Sequence, residues 1–214
     1  QRGHLRLSVA TTANSFATRI LSAFSKRYTG TSYALDVTNR KSLLGQLANN
    51  QTDMVIMGKP PDDLALSVHP FMQNPLVVIA PPDHPFAQAK RPISLQRIQA
   101  ETFVVREPDS GTRIAMERFF AERGIALKTG MEMTSNSAIK QAVAAGLGLG
   151  IVSIHTLELE LEVKRLMILK VQGFPILRHW HVVYCEDKRL PPIAQAFLEF
   201  LTGDESKHLL AQHR

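Results

Sequence analysis

Residues 4–28, HLRLSVATTANSFATRILSAFSKRY, decide the fold because they pass directly from a strand pattern to a helix pattern. From Leu5 to Val9 apolar and polar residues alternate, which is typical of a strand. From Phe16 to Tyr28 every fourth residue is aromatic or isoleucine, which predicts an amphipathic helix. Between the two lie three candidate helix caps, Thr11, Thr12 and Asn14. A strand followed at once by a helix is the repeating unit of an α/β fold.

The alternation of strands and helices continues along the chain. Further strands are predicted at 35–37, 54–57, 76–80, 103–105, 131–133, 149–152, 166–171 and 180–185, and further helices at 43–47, 112–123 and 137–145 and from 191 onward. Two α/β blocks followed by a returning segment predict two Rossmann-like subdomains joined by two crossover strands. We assign residues 1–75 with 180–214 to one subdomain and residues 76–179 to the other. A cleft between two such subdomains is a common place for a small ligand.

The composition is that of an ordinary globular protein. Of the 214 residues, 44% are hydrophobic and 21% are charged, which excludes a collagen, a coiled coil and a disordered chain. The 25 lysines and arginines exceed the 19 aspartates and glutamates, and the net charge of +6 favours anionic partners, from phosphorylated metabolites to nucleic acid. The positive residues are scattered along the chain, which argues against a dedicated nucleic-acid surface.

No feature of the sequence predicts export or membrane insertion. The N-terminal residues lack the apolar core of a secretory signal, and no apolar run approaches the roughly 20 residues of a membrane helix. The single cysteine, Cys185, cannot form an intramolecular disulfide and is expected to be a buried thiol, so the fold does not need an oxidising compartment. We therefore expect a cytoplasmic protein that does not contact a membrane.

The polar junctions between strands and helices form the candidate binding site. The sharpest is residues 106–113, REPDSGTR, where backbone N–H groups and hydroxyls at the start of a helix can bind an anion. A helix cap beside a solvated arginine explains the same residues, and the sequence leaves both interpretations open. Several junctions at the carboxyl ends of parallel strands favour a ligand site. The candidate ligand-binding residues are Thr11, Thr12, Asn14, Thr38, Asn39, Arg40, Lys59, Glu107, Asp109, Ser110, Gly111, Thr112, Arg113, Asn136 and His155.

Motifs typical of enzymes, cofactor sites and metal sites do not occur in the sequence. There is no Walker loop, no G-x-G-x-x-G after the first strand, no H-E-x-x-H and no Cys/His pairing at metal spacing. Residues 146–150, GLGLG, follow a predicted helix and enter a strand, which is the reverse of a nucleotide-binding loop, so we interpret them as a helix stop. We can name no set of nucleophile, base and orienting residue. We therefore expect no enzymatic activity, no cofactor and no metal.

Four segments resemble the effector-binding portion of LysR-type transcriptional regulators. They are GHLRL at 3–7, DMVI at 53–56, AAGLGLGI at 144–151 and PPIAQAF at 191–197. Four others are similar to the Calvin-cycle branch of that family, the regulators of RuBisCO operons: MGKPP at 57–61, NPLVVIAPPDHP at 74–85, EPDSGTR at 107–113 and NSAIKQAV at 136–143. Asp109 departs from this branch, which usually has glycine there. The resemblance covers essentially the whole chain.

This resemblance implies a fold like that of type II periplasmic binding proteins, with regulatory subdomain I built from both ends of the chain and subdomain II from the middle. It implies the sensing and dimerising domain of a DNA-binding regulator whose N-terminal winged helix-turn-helix is absent from these residues. The implied effector is a small phosphorylated metabolite or NADPH, and the implied targets are carbon-fixation genes.

The resemblance also implies a homodimer. In it, the helix of residues 16–28 lies beside the region of residues 112–123 of a second copy, and the full-length protein is expected to form a tetramer. The alternative function is that of a solute-binding protein of a transport system, because such proteins share this fold.

Overall fold

A computed structural model describes residues 3–211, and the chain separates into two compact units. The terminal unit comprises the described residues up to Gln73 and from His179 onward, and the central unit comprises Asn74–Arg178. The chain therefore passes between the units twice, after Gln73 and after Arg178. These boundaries differ by one or two residues from the predicted ones, 75/76 and 179/180.

Strands and helices alternate through most of the described chain. The strands are β1 (Gly3–Ala10), β2 (Thr31–Thr38), β3 (Met54–Met57), β4 (Leu66–Gln73), β5 (Leu76–Ala80), β6 (Thr102–Arg106), β7 (Lys128–Met133), β8 (Gly150–Ser153), β9 (Met167–Ile168) and β10 (His179–Cys185). The helices are α1 (Asn14–Arg27), α2 (Arg40–Ala48), α3 (Leu95–Gln99), α4 (Gly111–Ala121), α5 (Asn136–Ala144), α6 (Glu158–Glu162), α7 (Pro192–Thr202) and α8 (Asp204–Ala211). Short 3-10 turns lie at Thr11–Ala13, Pro85–Gln88 and Ile154–Thr156.

The sheet of the terminal unit has the strand order β2-β1-β3-β10-β4. β1 runs parallel to β2 and β3, and β10 runs antiparallel to β3 and β4. The two faces of β3 are covered by different helices, because Met54 and Ile56 pack in the cluster of α1 and α7, whereas Val55 and Met57 pack in the cluster of α2. All four side chains are buried. This two-sided burial explains why the sequence of β3 is entirely apolar.

Aromatic rings dominate the packing of α1 and α7 on this sheet. Phe16, Phe24 and Phe197 are fully buried. The rings of Phe24 and Phe197 meet edge to face, with centroids 5.2 Å apart. Burial of each side chain of this size contributes roughly 1.5–3 kcal/mol to stability. The helical spacing of aromatic residues in α1 therefore predicts the buried face correctly.

The central unit is a second α/β layer. β5 pairs antiparallel with β8 and β9, β6 pairs parallel with β7, and a parallel bridge between Phe103 and Leu149 joins the two groups. One buried cluster contains Phe119 of α4 and another contains Ile139 of α5. The helices therefore cover the strands in two separate hydrophobic clusters, as in a doubly wound fold.

The glycine-rich residues 146–150 end α5, as predicted. Gly146 directly follows the C-cap residue Ala145 and has φ +82°, a left-handed conformation that glycine adopts without strain. At Gly148, where φ is +157°, a Cβ atom would lie 2.7 Å from the carbonyl oxygen of Thr102, so only glycine fits. These residues thus end the helix, and Gly148 then brings the backbone close to that of Thr102.

Three details differ from the sequence predictions. The sequence pattern does not predict β4, since Pro70 interrupts it, but β4 is an edge strand, where proline is tolerated. The strand predicted at 166–171 is shorter and covers only Met167–Ile168. Cys185 is half-buried rather than buried, and its thiol donates to the carbonyl oxygen of Leu47 at 3.3 Å. Within residues 3–211 no helix is both long and apolar enough to cross a membrane.

Candidate functional site

The predicted binding residues of the terminal unit lie at one edge of its sheet. β1, β2 and β3 are parallel, so their carboxyl ends meet at this edge. Thr11 and Thr12 directly follow β1, Thr38 ends β2, and Lys59 lies two residues beyond β3. The structure therefore brings residues from three separate segments to the place where open α/β sheets bind ligands.

The N-terminus of α1 has no side-chain cap, and the prediction that Thr11, Thr12 or Asn14 caps this helix is wrong. A capping residue needs extended backbone, and at this junction the residue with extended backbone is Ala10 (φ −60°, ψ 145°), whose side chain cannot accept a hydrogen bond. Ala13, which directly precedes α1, is helical. The hydroxyls of Thr11 and Thr12 have no partner in the described part of the chain. The 3-10 turn satisfies the N–H of Asn14, which donates to the carbonyl oxygen of Thr11, and two unbonded hydroxyls lie at the positive end of a 14-residue helix.

The start of α2 is capped, and it is tied to the end of β3. The side-chain oxygen of Asn39 accepts the N–H of Ser42 at 2.9 Å, which confirms a cap at this junction. Arg40 Nη1 donates to the carbonyl oxygen of Lys59 at 2.9 Å. Burial lowers the pKa of the Arg40 guanidinium, but arginine stays charged near neutral pH. The guanidinium has several further N–H donors, so this one bond leaves donors for an anion.

In the central unit, the predicted residues lie where β6, β7 and β8 end. Ser110 accepts the N–H of Arg113 at 3.4 Å and caps α4, and Ser135 accepts the N–H of Ala138 at 3.1 Å and caps α5. Asn136 is the first residue of α5, directly after this second cap.

Two further residues lie just beyond the ends of these strands. The backbone N–H of Glu107 donates to the carbonyl oxygen of Met133 at 3.1 Å, so the loops after β6 and β7 are adjacent. His155 lies half-buried in the 3-10 turn after β8. The structure thus brings Glu107, Ser110, Asn136 and His155 to the ends of three strands.

Two predicted residues of the central unit are engaged in ion pairs. Glu107 pairs with Arg106, whose side chain is only 9% exposed, at an N–O distance of 2.6 Å. Arg113 pairs with Glu117 at 2.5 Å and with Glu132 at 3.5 Å. Its Nη1 also donates to the carbonyl oxygen of Arg106 at 2.6 Å. Glu107 and Arg113 therefore hold the loop and the helix in position, while Gly111 and Thr112, in the first turn of α4, and the exposed Asp109 surround the cap.

The sequence prediction misses one cation at this cap. Arg178 Nη1 donates to the carbonyl oxygen of Gly111 at 2.8 Å, across 67 residues of sequence. No sequence signal could have found it, because Arg178 lies in an irregular segment before β10 and in no motif. Its positive charge adds to that of the helix N-terminus and favours an anion there.

The donor groups of both units are of the kinds that bind anions. Each presents hydroxyls, amides and helix N–H groups, which are hydrogen-bond donors for phosphate or carboxylate oxygens. Within residues 3–211 no group of three or more histidine, cysteine, aspartate or glutamate side chains could hold a metal ion.

Comparison with known sequences identifies the family. The model of the LysR substrate binding domain matches residues 1–205. The RuBisCO operon transcriptional regulator of Allochromatium vinosum is 54% identical over 206 residues, which are 96% of this chain and 68% of that protein. The HTH-type transcriptional regulator CbbR of Rhodospirillum rubrum is 44% identical over 93% of this chain and 65% of its own length. The chain thus spans about two thirds of the length of these curated relatives.

Solved structures show the same relationship. The regulatory domain of CcmR from Synechocystis PCC6803, in complex with 2-PG, is 41% identical with a TM-score of 0.89, and the match covers 94% of this chain and 96% of that one. The effector-binding domain of QuiR, in complex with shikimate, is 20% identical with a TM-score of 0.87 over 97% of this chain and 99% of that one, and it supports the fold alone.

These matches confirm the predicted fold, two Rossmann-like subdomains as in periplasmic binding proteins. The relatives are transcriptional regulators, a non-enzymatic family, and they do not support a transport function. The chain belongs to the LysR family of transcriptional regulators, as an effector-binding domain related to the regulators of RuBisCO operons.

Proposed function

We propose that this domain binds a small phosphorylated metabolite at the polar donors that lie at its strand ends. The observation that carries the proposal is the N-terminus of α1, where no side chain caps the helix and the hydroxyls of Thr11 and Thr12 have no protein partner. The positive end of a helix dipole favours a negatively charged ligand. An anion would supply acceptors for these two hydroxyls.

The chemistry of the effector follows from the donors. In the terminal unit, Asn14, Thr38, Asn39, Arg40 and Lys59 surround the Thr11–Thr12 junction and add amide, hydroxyl and cationic donors. In the central unit, Ser110, Gly111, Thr112, Asn136 and His155 present hydroxyl, backbone, amide and imidazole donors, and Asp109, Glu107 and Arg113 shape the charge around them. Phosphate and carboxylate groups both match donors of these kinds.

The relatives support the same class of compound. The regulatory domain of CcmR, 41% identical to this chain, was solved in complex with 2-PG, which is 2-phosphoglycolate. This compound combines a phosphate and a carboxylate on a two-carbon skeleton. We therefore propose 2-phosphoglycolate, or a phosphorylated acid of similar size, as the effector, rather than a nucleotide such as NADPH.

Native mass spectrometry of the domain tests the class of effector. The panel contains phosphorylated carboxylic acids, sugar phosphates and NADPH, each at the same concentration. We expect a phosphorylated carboxylic acid to be retained in preference to the other compounds. Preferential retention of NADPH, or retention of no compound, would contradict the proposal.

The regulatory role follows from the family. We propose that the domain forms a homodimer, that a DNA-binding segment outside residues 1–214 reads the promoter of carbon-fixation genes, and that the full-length protein is a tetramer. Such a regulator acts on DNA in the cytoplasm. In this role the effector changes the affinity of the regulator for DNA, because the effector binds one state of the regulator more tightly than another.

A further inference from the structure

A cavity of about 230 Å³ lies on the central unit and includes none of the predicted binding residues. It is lined by Ser137, Lys140, Gln141, Glu160, Arg165 and Leu166. The first three share one face of α5, because they are three and four residues apart. Glu160 of α6 and the turn after that helix form the opposite wall.

The wall opposite α5 is fixed by backbone geometry. Lys164 turns the chain with φ +55°, and the N–H of Arg165 donates to the carbonyl oxygen of Glu160 at 2.9 Å. The next residue, Leu166, is 1% exposed and packs with Ile139 in the hydrophobic core. The backbone of Arg165 is thus held at the rim of the cavity, directly before a buried anchor.

The charges around the cavity leave an excess of one positive charge. Lys140 Nζ donates to Glu160 at 2.5 Å and to the carbonyl oxygen of Thr156 at 2.8 Å, so its charge is balanced by Glu160. The exposed guanidinium of Arg165 pairs with no carboxylate among the residues from 3 to 211. An anion in the cavity would provide the missing counter-charge.

Neutral donors accompany this guanidinium. The hydroxyl of Ser137 and the side-chain amide of Gln141 have no hydrogen-bond partner in the described chain. Ser137 also lies in the first turn of α5, where the helix dipole favours negative charge. A cation, a hydroxyl and an amide at the mouth of one cavity form a set that can bind the oxygens of one anionic group.

We propose that this cavity is a second binding site, for a small anion that carries a phosphate or carboxylate group. Arg165 would supply the charge, and Ser137 and Gln141 would orient the oxygens. At about 230 Å³ the cavity is smaller than the sites of drug-sized ligands. The size therefore fits an inorganic anion or a short organic acid, but not a nucleotide.

Nitrogen–proton correlation NMR of the domain tests this site. Inorganic phosphate and malonate are titrated separately at constant ionic strength, so that general screening does not change. We expect saturable shifts at the amides of Ser137, Gln141 and Arg165. The phosphate and malonate arms show which anionic group the cavity prefers, and saturation by either one supports the proposal.

Two variants make the test specific. Arg165→Gln should lower the anion affinity measured at these amides by roughly tenfold or more, since it removes a charged hydrogen-bond donor. Arg91→Gln, at another exposed arginine of the central unit, should leave the affinity unchanged. Shifts that do not saturate, or that persist at equal affinity in Arg165→Gln, would overturn the proposal.

The same spectra separate this site from the effector site. Anion binding at the strand ends shifts the amides of Thr12 and Ser110, whereas binding in the cavity shifts those of Gln141 and Arg165. Arg165→Gln should therefore lower the affinity reported by only the second group of shifts. If the strand-end amides do not shift and the cavity amides do, the proposed function is contradicted and the cavity proposal stands. If the cavity amides do not shift and the strand-end amides do, the cavity proposal is contradicted and the proposed function stands.

Discussion

The guanidinium of Arg40 donates a hydrogen bond to the carbonyl oxygen of Lys59 at 2.9 Å. This bond joins the first residue of α2 to the segment after β3, across 19 residues of sequence. It holds a partly buried cation at the edge where three parallel strands end. One side chain therefore fixes two loops of the candidate site and supplies charge to it.

Replacement of Arg40 should weaken effector binding. In Arg40→Gln the anion loses a charged hydrogen bond, which is worth about 1.5–3 kcal/mol, so the dissociation constant for 2-phosphoglycolate should rise by a factor of roughly 10 to 150. The control is Lys41→Gln, which removes a positive charge at the next, exposed position. Calorimetric titration that gives equal affinities for the two variants would contradict the role of Arg40.

Removal of the negative charge of Asp109 should strengthen binding. Asp109 is exposed directly before the Ser110 cap, so its carboxylate repels an anion at the start of α4. Exposed charge pairs contribute about 0.2–1 kcal/mol, so Asp109→Asn should raise the affinity by up to roughly fivefold, and the gain should shrink as salt is added. Asp83→Asn, at an exposed position of the same unit, should leave the affinity unchanged. An unchanged or lower affinity of Asp109→Asn at low salt would show that Asp109 does not face the ligand.

The cap of α5 should contribute measurably to stability. Ser135 accepts the N–H of Ala138, and loss of such a cap costs about 1 kcal/mol. Ser135→Ala should therefore lower the free energy of unfolding in urea by that amount. Ser137→Ala, two residues further along, removes a hydroxyl without a protein partner and should change it by less than about 0.5 kcal/mol. Equal losses in the two variants would refute the cap.

The proposed dimer should depend on one exposed apolar side chain of α4. Ile114 is 45% exposed and lies in the region that the dimer would cover. Ile114→Asp should convert the domain from dimer to monomer in sedimentation experiments at micromolar concentration, because it places a charge in an apolar interface. Leu159→Asp, at a 69% exposed leucine of α6 in the same unit, should remain a dimer. A wild-type domain that sediments as a monomer would refute this dimer.

The sequence predicts elements best where burial is two-sided. Residues 54–57 and 76–80 are continuous apolar runs, and both are strands with the predicted bounds. β4 escapes prediction since its residues are only partly buried and include Pro70, so no periodicity marks it. The start of α1 shows a similar limit: threonines at a strand-to-helix junction suggest caps, but a 3-10 turn places Ala10 at the extended position instead.

The candidate site is predicted only as far as strand order determines it. Junctions such as Thr11–Thr12 and Asn39–Arg40 follow from the α/β alternation, because parallel strands end at one edge. The bond of Arg178 to Gly111 depends on how distant segments pack, which the sequence pattern does not encode. The pairing of Arg113 with Glu132 is missed for the same reason.

Calorimetric titration of 2-phosphoglycolate into the wild-type domain and into Thr12→Val tests the central claim most directly. The account predicts saturable binding to the wild type. It also predicts an affinity lower by roughly 5- to 150-fold in the variant, since a phosphate oxygen left without its hydroxyl donor costs about 1–3 kcal/mol. The control is Thr18→Val, at an exposed threonine of α1 whose hydroxyl bonds only within that helix, and it should bind as the wild type does. No binding to the wild type, or equal affinity in Thr12→Val, would contradict the account.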